Sequence, residues 1–377
     1  REQFFHSFQV AAVATFAYIG VSKKGMSTMR SLRWIVCALA PIAVLAACQP
    51  STTVRDSAPP VGQLGKTVAP TRYSIELSID PSRDTFAGKV VIDITLKEAQ
   101  DAIWLHGKNL NVSEVYLTDA DSNRIDASYE ERQESGVALV SFSKPAPAGS
   151  AQLHFAYSAP FNTSVNALFK VERDGNYYAA TQFEAIAARQ VFPGFDEPGF
   201  KVPFDLSVIA RKGDAVVATT PEASTKELAD GSVLHVFTRT RPLPTYLIAL
   251  AVGPYDVVDF GMIPVNPVRD HEVPLRGIAA KGLGGEMQYA LKNTAGLLTA
   301  LETYFGTPYP YEKLDLIAVP ESFGGAMENV GAITYDEQLV LMDDNSPLDQ
   351  RRDYASTHAH EMSHMWFGDL VTPAWWN

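Results

Sequence analysis

Cysteine is nearly absent: the 377 residues hold two, Cys37 and Cys48, both ahead of position 49. Everything after them must hold together without an internal disulfide. Runs of basic residues are missing, as are basic patches interleaved with aromatics. The 31 Lys and Arg are outnumbered by 43 Asp and Glu, for a net charge of −12. That balance argues against a nucleic-acid partner. Two apolar stretches near the start, Val10–Val21 and Trp34–Ala47, fall short of the roughly 20 residues that span a bilayer comfortably. Histidine is scarce too, with eight residues, so a regular spacing among them carries information. No internal repeat is evident.

The first methionine is Met26, and residues 1–25 read as an upstream extension. From Met26 the order is Arg30 and Arg33, then the apolar run, then Leu45-Ala46-Ala47-Cys48. Residues 26–47 therefore resemble a bacterial lipoprotein signal. That resemblance implies lipidation of Cys48 and a membrane-anchored protein of the bacterial cell envelope, facing the periplasm or the surface. Several acyl chains on one residue hold stably where one does not. Residues 48–66, rich in Ser, Thr, Pro and Gly, read as a flexible tether.

About 310 residues follow, enough for two domains. Residues 67–257 read as a β-rich N-terminal domain. Tyr73, Ile75, Leu77 and Ile79 alternate with polar neighbours, as do Val90, Ile92, Ile94 and Leu96, and Leu153, Phe155 and Tyr157. Strands are also expected at 204–209, 233–237 and 246–252. Asp196 and Glu197, ahead of Pro198, read as a turn. From 258 the pattern changes to α+β: a helix over 285–305 stopped by Gly306-Thr307-Pro308, then strands at 314–319 and 331–342.

Between Pro347 and Phe367 there is no further proline and no glycine. Ser346 as cap, Pro347 at the first position and Asp349 in the first turn predict a helix there, stopped by Gly368. It carries His360-Glu361-Met362-Ser363-His364. Residues four apart share a helix face, so both imidazoles can aim at one zinc ion, with Glu361 beside it as a general base for water. His358, two before His360, points elsewhere. His271-Glu272 lacks the second histidine, since position 275 is Leu275, and reads as no metal site.

Two histidines do not complete a catalytic zinc site, which takes three protein ligands and an open position. Here a wider resemblance helps. Gly325-Ala326-Met327-Glu328-Asn329, about thirty residues before the helix, the run His360–Thr372, Trp375-Trp376-Asn377, Thr181-Gln182-Phe183-Glu184 and Ala188–Pro198 together resemble the aminopeptidase N family of zinc metallopeptidases. The resemblance spans about residues 67–377. It implies a β-rich N-terminal domain followed by a partial thermolysin-like zincin domain, the family's C-terminal helical domain being absent. It implies that His360 and His364 bind Zn2+ and that Glu361 is the catalytic base. Glu328, assisted by Glu184, would hold the free α-amine of a peptide substrate, and Gln182, Gly325 and Ala326 would line the first subsite. The family's third zinc ligand, a glutamate, would fall near position 383, and its catalytic tyrosine later still. The expectation is an incomplete reading frame that binds zinc weakly and turns over little. The rival expectation is a non-catalytic binding or scaffold lipoprotein with a zincin-like fold.

Overall fold

Period-two alternation dictates most of the architecture. In the computed structural model, which describes residues 54–322 and 324–376, Tyr73, Ile75 and Leu77 of strand Val68–Ser78 are buried while Ser74 and Glu76 face outward. Val90, Ile92, Ile94 and Leu96 do the same on the antiparallel strand Thr85–Leu96. These two strands sit inside a ten-stranded sheet that also contains Gly149–Pro160, Phe204–Ala210 and Val233–Phe237. Its one parallel pairing among the described strands joins Val68–Ser78 to Phe204–Ala210. A four-stranded sheet follows, in the order Ala215–Ala218, Leu250–Gly253, Asn176–Gln182, Ala167–Arg173.

The third sheet builds the site. Its order is Asp256–Ile263, Val273–Ala279, Leu314–Val319, Ala332–Asp336, Ala326–Met327. The three middle strands are parallel, and the helix Gln288–Phe305 makes the crossover between the first two of them. Every residue of Leu314–Val319 is buried, as expected for a strand covered on both faces. Leu314 and Leu316 pack in the same core as Leu291 and Leu298 of the crossover helix. Ile317 and Val319, on the opposite face, pack with Phe169, Tyr178 and Ala251 of the four-stranded sheet. The β-rich part and the helix-bearing part are thus welded through one strand.

Three local expectations differ from what forms. The strand expected at 246–252 begins only at Leu250, because Pro244 starts a 3-10 turn, Thr245–Leu247, whose Thr245 hydroxyl bonds the Asp196 carboxylate. The strand expected at 331–342 ends at Asp336 and gives way to one helical turn, Glu337–Val340. Asp336 there turns its carboxylate to the Ser322 hydroxyl and the Gly324 amide. The motif helix spans Leu348–His364 with Pro347, not Ser346, at the cap. The Ser346 hydroxyl instead accepts the Asp343 amide and closes the preceding turn.

Residues 1–53, with the expected extension, signal and Cys48, lie outside the described residues. From Val54 the stretch read as a tether is seated on the domain. The Val54 amide bonds Asp101 (3.1 Å), the Trp104 indole bonds Ser57 (3.1 Å), and Leu64 is buried with its amide on Glu197. Among the described residues no helix is long and apolar enough to cross a membrane, and no helical domain follows the motif helix.

Candidate metal and amine site

The motif helix is fixed in rotation by the core it packs on. The Tyr354 hydroxyl donates to the Ala290 carbonyl at 2.8 Å. His358 is fully buried, its Nδ1 2.6 Å from the Tyr335 hydroxyl and its Nε2 3.0 Å from that of Thr294. It stacks on Tyr354 with ring centres 5.2 Å apart. His358 is therefore spent on the core, pointing elsewhere as its spacing predicts, and His360 and His364 emerge on another flank. Their Nε2 atoms lie 3.0 Å apart. Two nitrogens on one tetrahedral zinc at 2.0–2.1 Å stand about 3.3 Å apart, so the pair already aims at a common point.

The loop after the helix selects the tautomer of His364. Its Nδ1 lies 2.9 Å from the Phe367 carbonyl, which only accepts, so Nδ1 holds the proton and Nε2 offers its lone pair. Gly368 makes that wrap possible. Its φ is +136°, and a Cβ there would sit 2.9 Å from His364 Nδ1.

Glu328 follows the edge strand Ala326–Met327 and is followed by a turn whose Gly331 has φ +64°. The buried Lys313 ammonium and the Asp315 amide both donate to the Gly331 carbonyl, at 2.7 and 3.0 Å. So anchored, Glu328 brings its Oε1 to 3.8 Å from His364 Nδ1. Ligand-capable atoms of Glu328, Glu361 and His364 all fall within 4.8 Å of one another. His360 joins the group through His364. Of the possible ligand sets, the histidine pair is the better metal seat, because its Nε2 lone pairs converge while the carboxylates surround them.

The carboxylates disfavour one another's charge. Burial pushes Glu361 up to about 8, with Glu328 and then Glu184 adding to it. Glu184, in the loop after strand Asn176–Gln182, keeps a solvent-facing edge. Although the residue as a whole is exposed, its carboxyl is also raised, by desolvation first and Glu328 second, against the opposing pull of His364. His360 is lowered by burial and by His364. Such a group is primed for a cation, which would favour every charged carboxylate at once.

The subsite residues are placed less decisively. Gln182 is half-buried, and its Oε1 has no hydrogen-bond partner among the described residues. Gly325 gives its carbonyl to the Asp336 amide at 2.9 Å, and Ala326 pairs with Tyr335 across the sheet edge.

Three further residues belong to the neighbourhood and escape the sequence reading. Asp369 is fully buried, neither carboxylate oxygen has a hydrogen-bond partner among the described residues, and burial followed by Glu328 holds its carboxyl well above the usual range. The Tyr246 hydroxyl reaches the Gly368 carbonyl at 3.3 Å, and its ring lies 5.0 Å from that of Trp376. Lys201 grips the loop beyond the helix. Asp369 directly follows the Gly368 stop signal, the one cue that could have drawn attention to it. The turn at Asp196 and Glu197 proves to be a buried knot. Asp196 takes the Arg189 guanidinium at 2.8 Å and the Thr245 hydroxyl. His271 is exposed, its ring bonded to the neighbouring Asp270 carboxylate and to none of the site residues among the described residues.

The chain is similar to known peptidases over both of its parts. The Peptidase M1 N-terminal domain matches residues 69–247, and the Peptidase family M1 domain matches residues 289–377. Aminopeptidase N of Acetobacter pasteurianus is 30% identical over 323 residues, covering 84% of this chain and 88% of that protein. Puromycin-sensitive aminopeptidase of Caenorhabditis elegans is 31% identical over 318 residues, covering 81% of this chain and 32% of the relative. Endoplasmic reticulum aminopeptidase 1 of Homo sapiens is 30% identical over 326 residues, covering 84% and 34%. The chain thus spans about a third of the length of the last two.

Proposed function

The chain belongs to peptidase family M1, the aminopeptidase N family, and from that premise we propose that it acts as a zinc-dependent aminopeptidase, removing N-terminal residues from peptides. The observation that carries this reading is the convergence of the His360 and His364 Nε2 atoms, 3.0 Å apart, beside Glu361 and Glu328. The donor set fits zinc: two neutral imidazoles, one tautomer fixed by a carbonyl, in an acidic surround. Among the described residues we assign no third ligand.

Bound between those nitrogens, zinc supplies Lewis acidity, polarising a peptide carbonyl and making water more acidic. The rest falls to the chain. Glu361, buried beside the histidine pair and ionised once a cation offsets the neighbouring carboxylates, takes a proton from water and returns it to the departing amine. Glu328 and Glu184 face the ammonium of a free N-terminus. Each charge-assisted bond is worth about 1.5–3 kcal/mol, and an internal amide in the same place would leave the carboxylates unpaired. Phe367 keeps the His364 ring in the ligating tautomer.

Titration calorimetry of the chain with Zn2+ tests this directly. One ion per chain is expected, lost in His360→Ala, with affinity below that of a three-ligand site. Absence of binding, or binding unchanged in that variant, refutes it. The cell-envelope part of the proposal is supported by Leu45-Ala46-Ala47-Cys48. It requires that a metabolic fatty-acid label enter the protein in bacteria and vanish in Cys48→Ala.

A further inference from the structure

The metal-site loop is held by its own helix and, from outside, by the β-rich domain. After the motif helix the chain turns back through Trp366–Thr372, where the Phe367 carbonyl faces His364, the Gly368 carbonyl takes the Tyr246 and Thr372 hydroxyls, and the Val371 carbonyl takes the Gly368 amide. Lys201, on the β-rich side of the molecule three residues after Pro198, adds a hold on this loop from outside. Its ammonium donates to the Asp369 carbonyl at 2.8 Å, the Leu370 carbonyl at 3.0 Å and the Thr372 hydroxyl at 2.9 Å. An ammonium has three N–H donors, so all three are committed to this one loop. Contact between the segments is close: a Cβ on Gly199 would stand 3.1 Å from the Ala374 carbonyl oxygen.

What that loop does is orient a ligand. The Phe367 carbonyl holds the proton of His364 Nδ1, and Gly368 packs against the same ring. Residues 369–371 return to the helix through the Asp369 amide on the His364 carbonyl (3.0 Å) and the Val371 amide on Trp366 (3.0 Å). Loop and helix end therefore form one hydrogen-bonded body, and Lys201 is its clamp from the neighbouring domain. The geometry points to Lys201 as a positioning residue for zinc: it fixes the Phe367–Thr372 loop, hence the tautomer and aim of His364, without touching metal or substrate. This rests on the proposed zinc site and adds that its affinity is set partly from the β-rich domain. Partners that orient a ligating histidine typically govern metal affinity by 10–100-fold.

The test is Zn2+ affinity of the chain by calorimetry, paired with unfolding in chelator to report the metal-free fold. Lys201→Met is expected to raise the Zn2+ Kd at least about tenfold, with the metal-free unfolding midpoint nearly unchanged. Lys201→Arg, which keeps the charge and the donors, should recover most of the affinity. A Kd in Lys201→Met equal to wild type overturns the inference, as does a loss that Lys201→Arg does not repair. If Lys201→Met fails to fold, Lys201→Gln, whose amide has two N–H donors in place of three, serves instead; a raised Kd supports the clamp and an unchanged Kd overturns it. A wild-type chain that binds no Zn2+ removes the zinc site itself, and this inference with it. That outcome is distinct from wild type binding and Lys201→Met binding equally.

Discussion

Acid should loosen this protein through one histidine in particular. His106 is 2% exposed and lies where the ten-stranded sheet meets the Asp196 knot. Its backbone pairs both ways with Gly194, and its Nδ1 accepts the Asp196 amide at 3.2 Å. Burial, and secondarily the Arg189 guanidinium, hold it down to about 3. The folded value lies below the unfolded one, about 6.5, so folding requires the neutral ring. The stabilising contribution is present above the unfolded value and is lost as pH falls toward the folded one. Between pH 7.5 and 4.5 the unfolded chain gains a proton that the folded chain refuses, and stability falls by roughly 3 kcal/mol. Against a usual total of about 5–15 kcal/mol that is a large share. Urea unfolding of wild type and His106→Asn at both pH values isolates it. Asn can offer an acceptor to the Asp196 amide but cannot titrate, so other acid-sensitive groups cancel between the two proteins. His106→Asn should lose roughly 3 kcal/mol less than wild type on acidification. Equal losses in both would show that His106 is not held neutral by the fold.

Three shorter predictions concern the site. Glu361→Gln should keep Zn2+ binding while abolishing hydrolysis of an aminoacyl arylamide by the active protein; near-normal turnover would remove Glu361 as the base. Glu328→Ala should raise KM and narrow the preference for free over N-acetylated peptides, losing on the order of tenfold or more for a charge-assisted bond, and unchanged discrimination would place the amine elsewhere. Gly331→Ala should destabilise the chain by at least about 1 kcal/mol, because φ is +64° and the new Cβ would meet the Thr219 carbonyl oxygen at 2.8 Å; an unshifted unfolding midpoint would contradict the tight turn behind Glu328.

Much of this was legible in the sequence because it depends on short periods. Alternation at Tyr73–Leu77 and Val90–Leu96 marks strands whose buried faces are those observed. The four-residue step from His360 to His364 marks one helix flank, and the two-residue step turns His358 away from it, without saying that it would enter the core. What escaped depends on side chains meeting across long separations. No local pattern says that Asp196 will receive Arg189 and Thr245, or that Lys201 will reach residues about 170 positions away. Asp369 has no period at all, only its place beside Gly368. Ser346 misled because a hydroxyl before proline fits a helix cap and a turn equally well, and here the turn takes it.

The decisive measurement is diffraction from zinc-soaked crystals of the chain on both sides of the zinc absorption edge. One anomalous peak about 2.0–2.1 Å from the Nε2 atoms of both His360 and His364, with Glu361 and Glu328 beside it, is the expected result. No peak there, or a peak held by carboxylates away from the histidine pair, would contradict the zinc aminopeptidase reading at its foundation.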